Sequence, residues 1–429
     1  MLLESRPKGL HYVFTAAAGH SFAFYVLVNH LILWLLSEGV PRENASKTFG
    51  YYIAAAYVCA VLGGGLASFL GAHSVILLGV ALYLCGLFAL VLNAGHGVLV
   101  LGILALGSGL IKPNIVTLVS RMFPAKSPLV DGALARFYSA INVGAIAAAG
   151  LGGYISTRYS FRAAFITALI GELIVLLSLF LGRKAFSVTA SESSLAPLIA
   201  PIKSGTLPPD QPSVNWRSLG SLLLFLVFAS LAFWPAYHQN NAGLNVWAEQ
   251  FTNRVVFGFN IPPTWFAMIN SLICIFCAVP VITWFAIGAR RKWSSIAGYA
   301  LMSLSFVLLC AVSYSGASAA EAKYSALWLV LSITFSSFSE VMISTIGLAR
   351  VSEQAPRKWD SLFMSIWYCT VALGGWIAGQ IGSSFSLIEG FWVFASLCCI
   401  AGAGQWVELR CAGRAPTAAT AWLRTEEIA

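Results

Sequence analysis

The chain has 429 residues, of which 59% are hydrophobic and 10% charged, with 25 Lys and Arg against 16 Asp and Glu for a formal charge of +9. Soluble domains carry about 25% charged residues, so this composition excludes an ordinary soluble fold and indicates a polytopic membrane protein. The positive balance does not indicate a nucleic-acid partner, because no run of five basic residues occurs and the cations fall in short polar connections.

Apolar segments predict twelve spans, at about 11–36, 49–70, 75–94, 97–119, 133–155, 161–182, 217–238, 262–284, 295–313, 326–349, 360–383 and 388–408. The first begins near His11 and is too long for the apolar region of a cleavable signal peptide. It carries His20 and Tyr25, and the second carries Tyr57 and the run Gly63-Gly64-Gly65, where helices can approach closely. The fourth holds a lone cation, Lys112, followed by Pro113, which removes a backbone donor. The fifth holds Asn142 and Gly144, and the sixth a lone acid, Glu172.

The polar stretch from Arg183 to Arg217 is rich in Ser and Pro and reads as a linker. The expected organisation is a first six-helix bundle at 1–184, a linker at 185–216, a second bundle at 217–410 and a tail at 411–429. In the second bundle the seventh span ends at His238, the eighth holds Asn270, Cys274 and Cys277, the tenth Glu340 and Ser344, and the eleventh Trp367. With a cytoplasmic N-terminus, the inner connections collect about three times as many Lys and Arg as the outer ones, which hold Arg42, Lys47, Arg158, Arg162, Arg254 and Lys323. Both termini are therefore expected inside.

Lys112 and Glu340 are opposite charges set in opposite halves of an apolar chain. Such residues are costly to insert and mark sites where a substrate, ion or partner compensates them. They suggest a site for a zwitterion between two bundles. No Ser-His-Asp set, phosphate-cradling loop or zinc-like His grouping indicates an enzyme. Cys274-x-x-Cys277 has no second ligand pair, so no metal and no cofactor is expected.

Gly109-Leu110-Ile111-Lys112-Pro113-Asn114, followed by Phe137-Tyr138-Ser139-Ala140-Ile141-Asn142-Val143-Gly144, resembles the K-P-N and F-Y-x-x-I-N-x-G signatures of the proton-dependent oligopeptide transporter family, in the major facilitator superfamily. Tyr57 with Gly63 and Gly64, Phe233-Trp234-Pro235-Ala236-Tyr237-His238-Gln239, Trp265 to Asn270, Ser339-Glu340 through Leu348, Ala355-Pro356 and Trp367 extend the likeness over most of the chain. The resemblance implies an all-α, major-facilitator-type membrane protein of twelve helices in two six-helix bundles. It implies transport of di- or tripeptides or similar zwitterions by alternating access, as a multi-pass monomer of the cell membrane (the inner membrane in a bacterium). By position it implies that Glu340 holds the amino terminus and that Lys112 belongs to the carboxylate and proton-coupling side. Tyr25, Tyr57, Asn142, Asn270, Ser344 and Trp367 match further cavity positions.

The first span departs from the family's E-x-x-E-R-F-x-Y-Y pattern. Ala17-Ala18-Gly19-His20-Ser21-Phe22-Ala23-Phe24-Tyr25 lacks both glutamates and the arginine, and His20 stands where the second glutamate falls. The pair that closes the family's outer gate is also absent, with Val28 and His238 at the two positions. The acidic loop after the second span is reduced to Ser68 through Ser74. Protons as a coupling partner then depend on non-standard residues, for which His20, His238 and Glu172 are the candidates. The alternatives are a proton-independent facilitator or exporter and a non-transporting sensor on the same fold.

Overall fold

In hydrocarbon every backbone N–H and C=O must be satisfied within the chain, and a helix does this from its own residues. The computed structural model accordingly describes a helical protein over residues 7, 9–92, 97–123, 129–192, 216–286, 293–315, 323–355 and 360–412. Eleven helical stretches are long and apolar enough to cross a membrane, and a bent pair, Pro263–Phe276 with Ala278–Phe285, makes the twelfth. The expected spans are thus found in number and order.

The first half contains α1 (Leu10–Ser37), α2 (Arg42–Leu70), α3 (Ala72–Val91), α4 (Val98–Arg121), α5 (Leu129–Ala147), α6 (Gly153–Arg158) and α7 (Phe161–Glu192). At 28 residues α1 is about 42 Å long. It is the hub of this half, with almost its whole length from Val26 to Leu35 buried. α7 continues through Glu192, past the expected start of the linker at 185, and residues 193–215 of that linker and 413–429 of the tail lie outside the described residues.

The second half contains α8 (Trp216–Phe228), α9 (Trp234–Tyr237), α10 (Gly243–Phe251), α11 (Ala267–Phe276), α12 (Ala278–Ala286), α13 (Ser294–Ser315), α14 (Ala326–Glu340), α15 (Ile346–Gln354), α16 (Asp360–Ser384) and α17 (Leu387–Ala412). Several spans are interrupted at depth, for local reasons. Pro235 has no N–H to give to Leu231 and its ring crowds that carbonyl, so a wide π turn over Ala229–Phe233 joins α8 to α9. The eighth span bends by 55° between α11 and α12, one turn before Pro280. A second wide turn, Val341–Thr345, follows Glu340 directly. The all-α expectation omitted two small features: a parallel pairing of Thr252–Asn253 with Tyr324–Ser325, and a hairpin pairing Val255–Val256 with Phe259–Asn260, in which Phe257 and Gly258 both take positive φ.

Each half has its own apolar core. One is centred on α1, and the other runs through Phe225, Phe233, Tyr299, Phe306 and Phe391. Ala242 and Val246 of the second half pack into the first core, and Tyr57 of the first half packs against the second. The hydrogen bonds that cross the seam gather at the face where α1 ends. Asn245 Nδ2 donates to the Asn29 carbonyl at 2.9 Å, Trp265 Nε1 to that of Gly150 at 2.8 Å, and Arg42 Nη1 to that of Gly382 at 2.9 Å. There α2 crosses α16 with backbone almost touching backbone. A Cβ built on Gly379 stands 2.8 Å from both the Gly50 Cα and the Ser46 carbonyl oxygen, so this crossing needs glycine.

Candidate functional site

At the seam a cleft is lined by Tyr25 and Asn29 of α1, and by Tyr237, Asn240, Asn270 and Ser271 of the second half. Glu340 adjoins it through Asn270. The Asn270 Nδ2 donates to Glu340 Oε2 at 2.6 Å and to Ser337 Oγ at 3.2 Å, and the Cys274 thiol points at the same Oε2 at 3.7 Å. The arrangement follows from helical spacing. Asn270 and Cys274 are four residues apart on α11, Ser337 and Glu340 three apart on α14, and the two faces meet. The Ser344 hydroxyl bonds the Glu340 carbonyl at 2.6 Å, filling an acceptor in the wide turn.

Lys112 lies in the opposite half. Its Nζ sits 3.1 Å from the centroid of the Phe24 ring and 5.0 Å from that of Tyr57. Ring faces stabilise a cation through their quadrupole without neutralising it. Among the described residues Lys112 has no carboxylate partner. Pro113 leaves the Gly109 carbonyl without its helical donor, and Asn114 donates to the Gly63 carbonyl of α2 at 3.0 Å and to the Leu110 carbonyl of its own helix at 2.8 Å. Tyr25, Tyr57 and Tyr237 are each within electrostatic reach of Glu340, and of the three Tyr57 also meets the Lys112 Nζ. His238 closes the group. Its ring is 6.4 Å from that of Tyr57, and its Nε2 lies 3.4 Å from the Val371 carbonyl oxygen.

Other expected residues lie elsewhere. Asn142 donates to the Tyr138 carbonyl of its own helix at 3.0 Å. Trp367 is buried in the second core, stacked on Phe225 and edge-on to Trp234. Neither lines the cleft. His20 and Glu172, read from the sequence as separate candidates, are partners. His20 Nδ1 is 3.1 and 3.3 Å from the two carboxylate oxygens, and its Nε2 is 3.3 Å from Ser108 Oγ.

Sequence reasoning passed over Phe24, Ser108, Tyr237 and Cys274. The available signal was spacing: Ser108 is one turn before Lys112, Phe24 one turn after His20, and Cys274 one turn after Asn270.

The sequence matches the profile of the POT family over residues 73–200 and 217–392. It is 27% identical to the peptide transporter YePEPT of Yersinia enterocolitica, covering 88% of this chain and 87% of that one. It is also 27% identical to the dipeptide and tripeptide permease A of Yersinia pestis, covering 88% of this chain and 84% of the permease. The fold superposes on a crystal structure of a peptide transporter POT variant in complex with alafosfalin, with a TM-score of 0.82, 22% identity and 96% of each chain covered.

Proposed function

The chain belongs to the POT family, and we propose that it carries di- or tripeptides, or similarly sized zwitterions, across the membrane by rocking its two halves about the seam. It is a multi-pass membrane protein of a transporter family rather than an enzyme. We place both termini at the cytoplasmic face and the substrate between Glu340 and Lys112.

The observation that carries this reading is the isolation of the two charges. Glu340 is held by neutral donors and Lys112 by neutral rings, and among the described residues neither has an ionic partner. An unpaired charge in a low-dielectric cleft favours a ligand that neutralises it, and a zwitterion neutralises both charges at once. The amino terminus then docks on Glu340 and the carboxylate on Lys112, one in each half, so that occupancy draws the halves together. Tyr25 and Asn270, on facing walls of the cleft, complete the lining. The likeness to named peptide transporters supports the size and class of this substrate.

Protein reconstituted in liposomes is expected to exchange radiolabelled dialanine across the membrane, with unlabelled dialanine competing and free alanine competing poorly. Saturable dialanine binding without flux would favour the sensor reading. The absence of both binding and flux would remove dipeptides as the substrate.

A further inference from the structure

We infer that His20 and Glu172, with Ser108, form a proton-binding site inside the first half, and that this site loads when a substrate carboxylate occupies Lys112. The inference rests on the substrate reading above for its coupling step, and on geometry alone for the site.

The pair is enclosed. Glu172 is 0% and His20 4% exposed. Gly19 and Gly171 let α1 and α7 approach until the imidazole meets the carboxylate: a Cβ on Gly19 would stand 3.0 Å from the Gly171 carbonyl oxygen. Every neighbouring helix contributes to the surroundings. From α4 come Ser108 and, one turn on, Lys112. From α3 comes Tyr83, whose ring meets the imidazole edge-on at 5.2 Å, and from α2 comes Tyr52, also within reach of Glu172. Among the described residues α5 brings no titratable group to this point, packing on α1 through Gly144 and the Ile141 carbonyl that accepts from Ser21. The Tyr52 and Tyr83 hydroxyls are buried side by side, each within reach of the other and of Glu172. Lys112 is thus the charged neighbour, separated from the pair by one ring, Phe24, which it faces at 3.1 Å and which lies 6.4 Å from the imidazole.

A buried ion pair is seldom retained for stability, because apolar residues of the same volume commonly serve at least as well. Charge balance supplies a function. With one proton missing, the pair carries one negative charge and balances the Lys112 ammonium across Phe24. A substrate carboxylate at Lys112 takes over that balancing. The pair then binds one proton from water on the imidazole, which donates through Nδ1 to Glu172, and the cluster returns to neutrality. Release reverses both steps. In a low-dielectric site the two events are linked because either alone leaves a net charge buried. One proton therefore accompanies one carboxylate.

Two measurements on the full-length protein test this. Infrared difference spectra of the ligand-free protein, titrated from about pH 5 to about pH 8, are expected to show the Glu172 carboxylate band shift as the imidazole takes up its proton, a change that Glu172→Gln and His20→Gln each abolish. In liposomes, Glu172→Gln is expected to keep dialanine exchange near the wild-type rate. It should lose at least about tenfold in accumulation driven by an imposed pH gradient, together with the dialanine-dependent acidification seen by an internal dye. Glu172→Asp should recover part of both. A carboxylate band shift unchanged by Glu172→Gln overturns the site, and full gradient-driven accumulation in that variant overturns the coupling. Loss of exchange along with accumulation makes the pair structural and overturns the inference as well. A wild type that shows the band shift but neither binds nor moves dialanine leaves the proton site standing and overturns the substrate reading instead.

Discussion

Glu340→Gln is expected to reduce dialanine uptake at least about thirtyfold, because removing one member of a desolvated charge pair costs roughly 2 kcal/mol or more. The substitution is nearly isosteric. Asn270 and Cys274 can still donate to the remaining side-chain oxygen, so the α11–α14 contact should persist and thermal unfolding of the ligand-free protein should shift little. The missing negative charge leaves a peptide ammonium buried without a partner. Initial uptake rates from liposomes, with unfolding monitored in the same preparations, check this. Uptake within a factor of about two of wild type would mean that Glu340 is held by α11 for packing alone.

Gly379→Leu is expected to abolish uptake for a different reason. The crossing of α2 and α16 has no room for a side chain at Gly379, since Gly50 and the Ser46 carbonyl occupy the space. Both partners there are backbone atoms, which cannot swing aside as a rotamer can. Closure at this face must therefore fail, together with the Arg42 bonds to Gly382 and Phe385 that accompany it. In the unmodified protein Val246 is buried at this face, beside a cleft shared with Arg42, Ser46 and Gly382. A thiol introduced as Val246→Cys should label with an impermeant maleimide at least about tenfold faster in the Gly379→Leu background, as read by mass spectrometry at that residue. Equal labelling and normal transport would show that the halves do not need this crossing to close.

The two effects separate chemistry from gating. The first removes a ligand contact and spares the conformations; the second spares the ligand contacts and removes a conformation. Dialanine binding should therefore survive Gly379→Leu better than it survives Glu340→Gln.

Much of this architecture was visible in the sequence because the bilayer enforces it. Long apolar runs can only be helices, and a single charge such as Lys112 or Glu340 stands out against them. The positions of Pro235 and Pro280 could have announced the broken spans, but the compensating π turn before Pro235 depends on how the helix relaxes inside the bundle. The partnership of His20 with Glu172 was hidden for a deeper reason. The residues are 152 positions apart, and their meeting depends on the angle at which α1 crosses α7, which Gly19 and Gly171 permit but do not announce. Lys112 lies against Phe24 and Tyr57, a preference of cations for ring faces that periodicity does not encode. Asn142 and Ser344 show the converse. Each polar side chain bonds a carbonyl of its own helix one turn back, a local use that a motif alone cannot distinguish from ligand contact.

In the proposed binding mode one dipolar solute is gripped at both ends, by Glu340 in one half and by Lys112 in the other. The most direct measurement is calorimetric binding of dialanine, N-acetyl-dialanine and dialanine amide to the wild type, Glu340→Gln and Lys112→Gln proteins. Acetylation is expected to weaken binding to the wild type strongly and to Glu340→Gln hardly at all, while amidation should do the same for the wild type and Lys112→Gln. Wild-type affinity that is indifferent to either cap, or a cap that costs as much in its matched variant as in the wild type, would contradict the account.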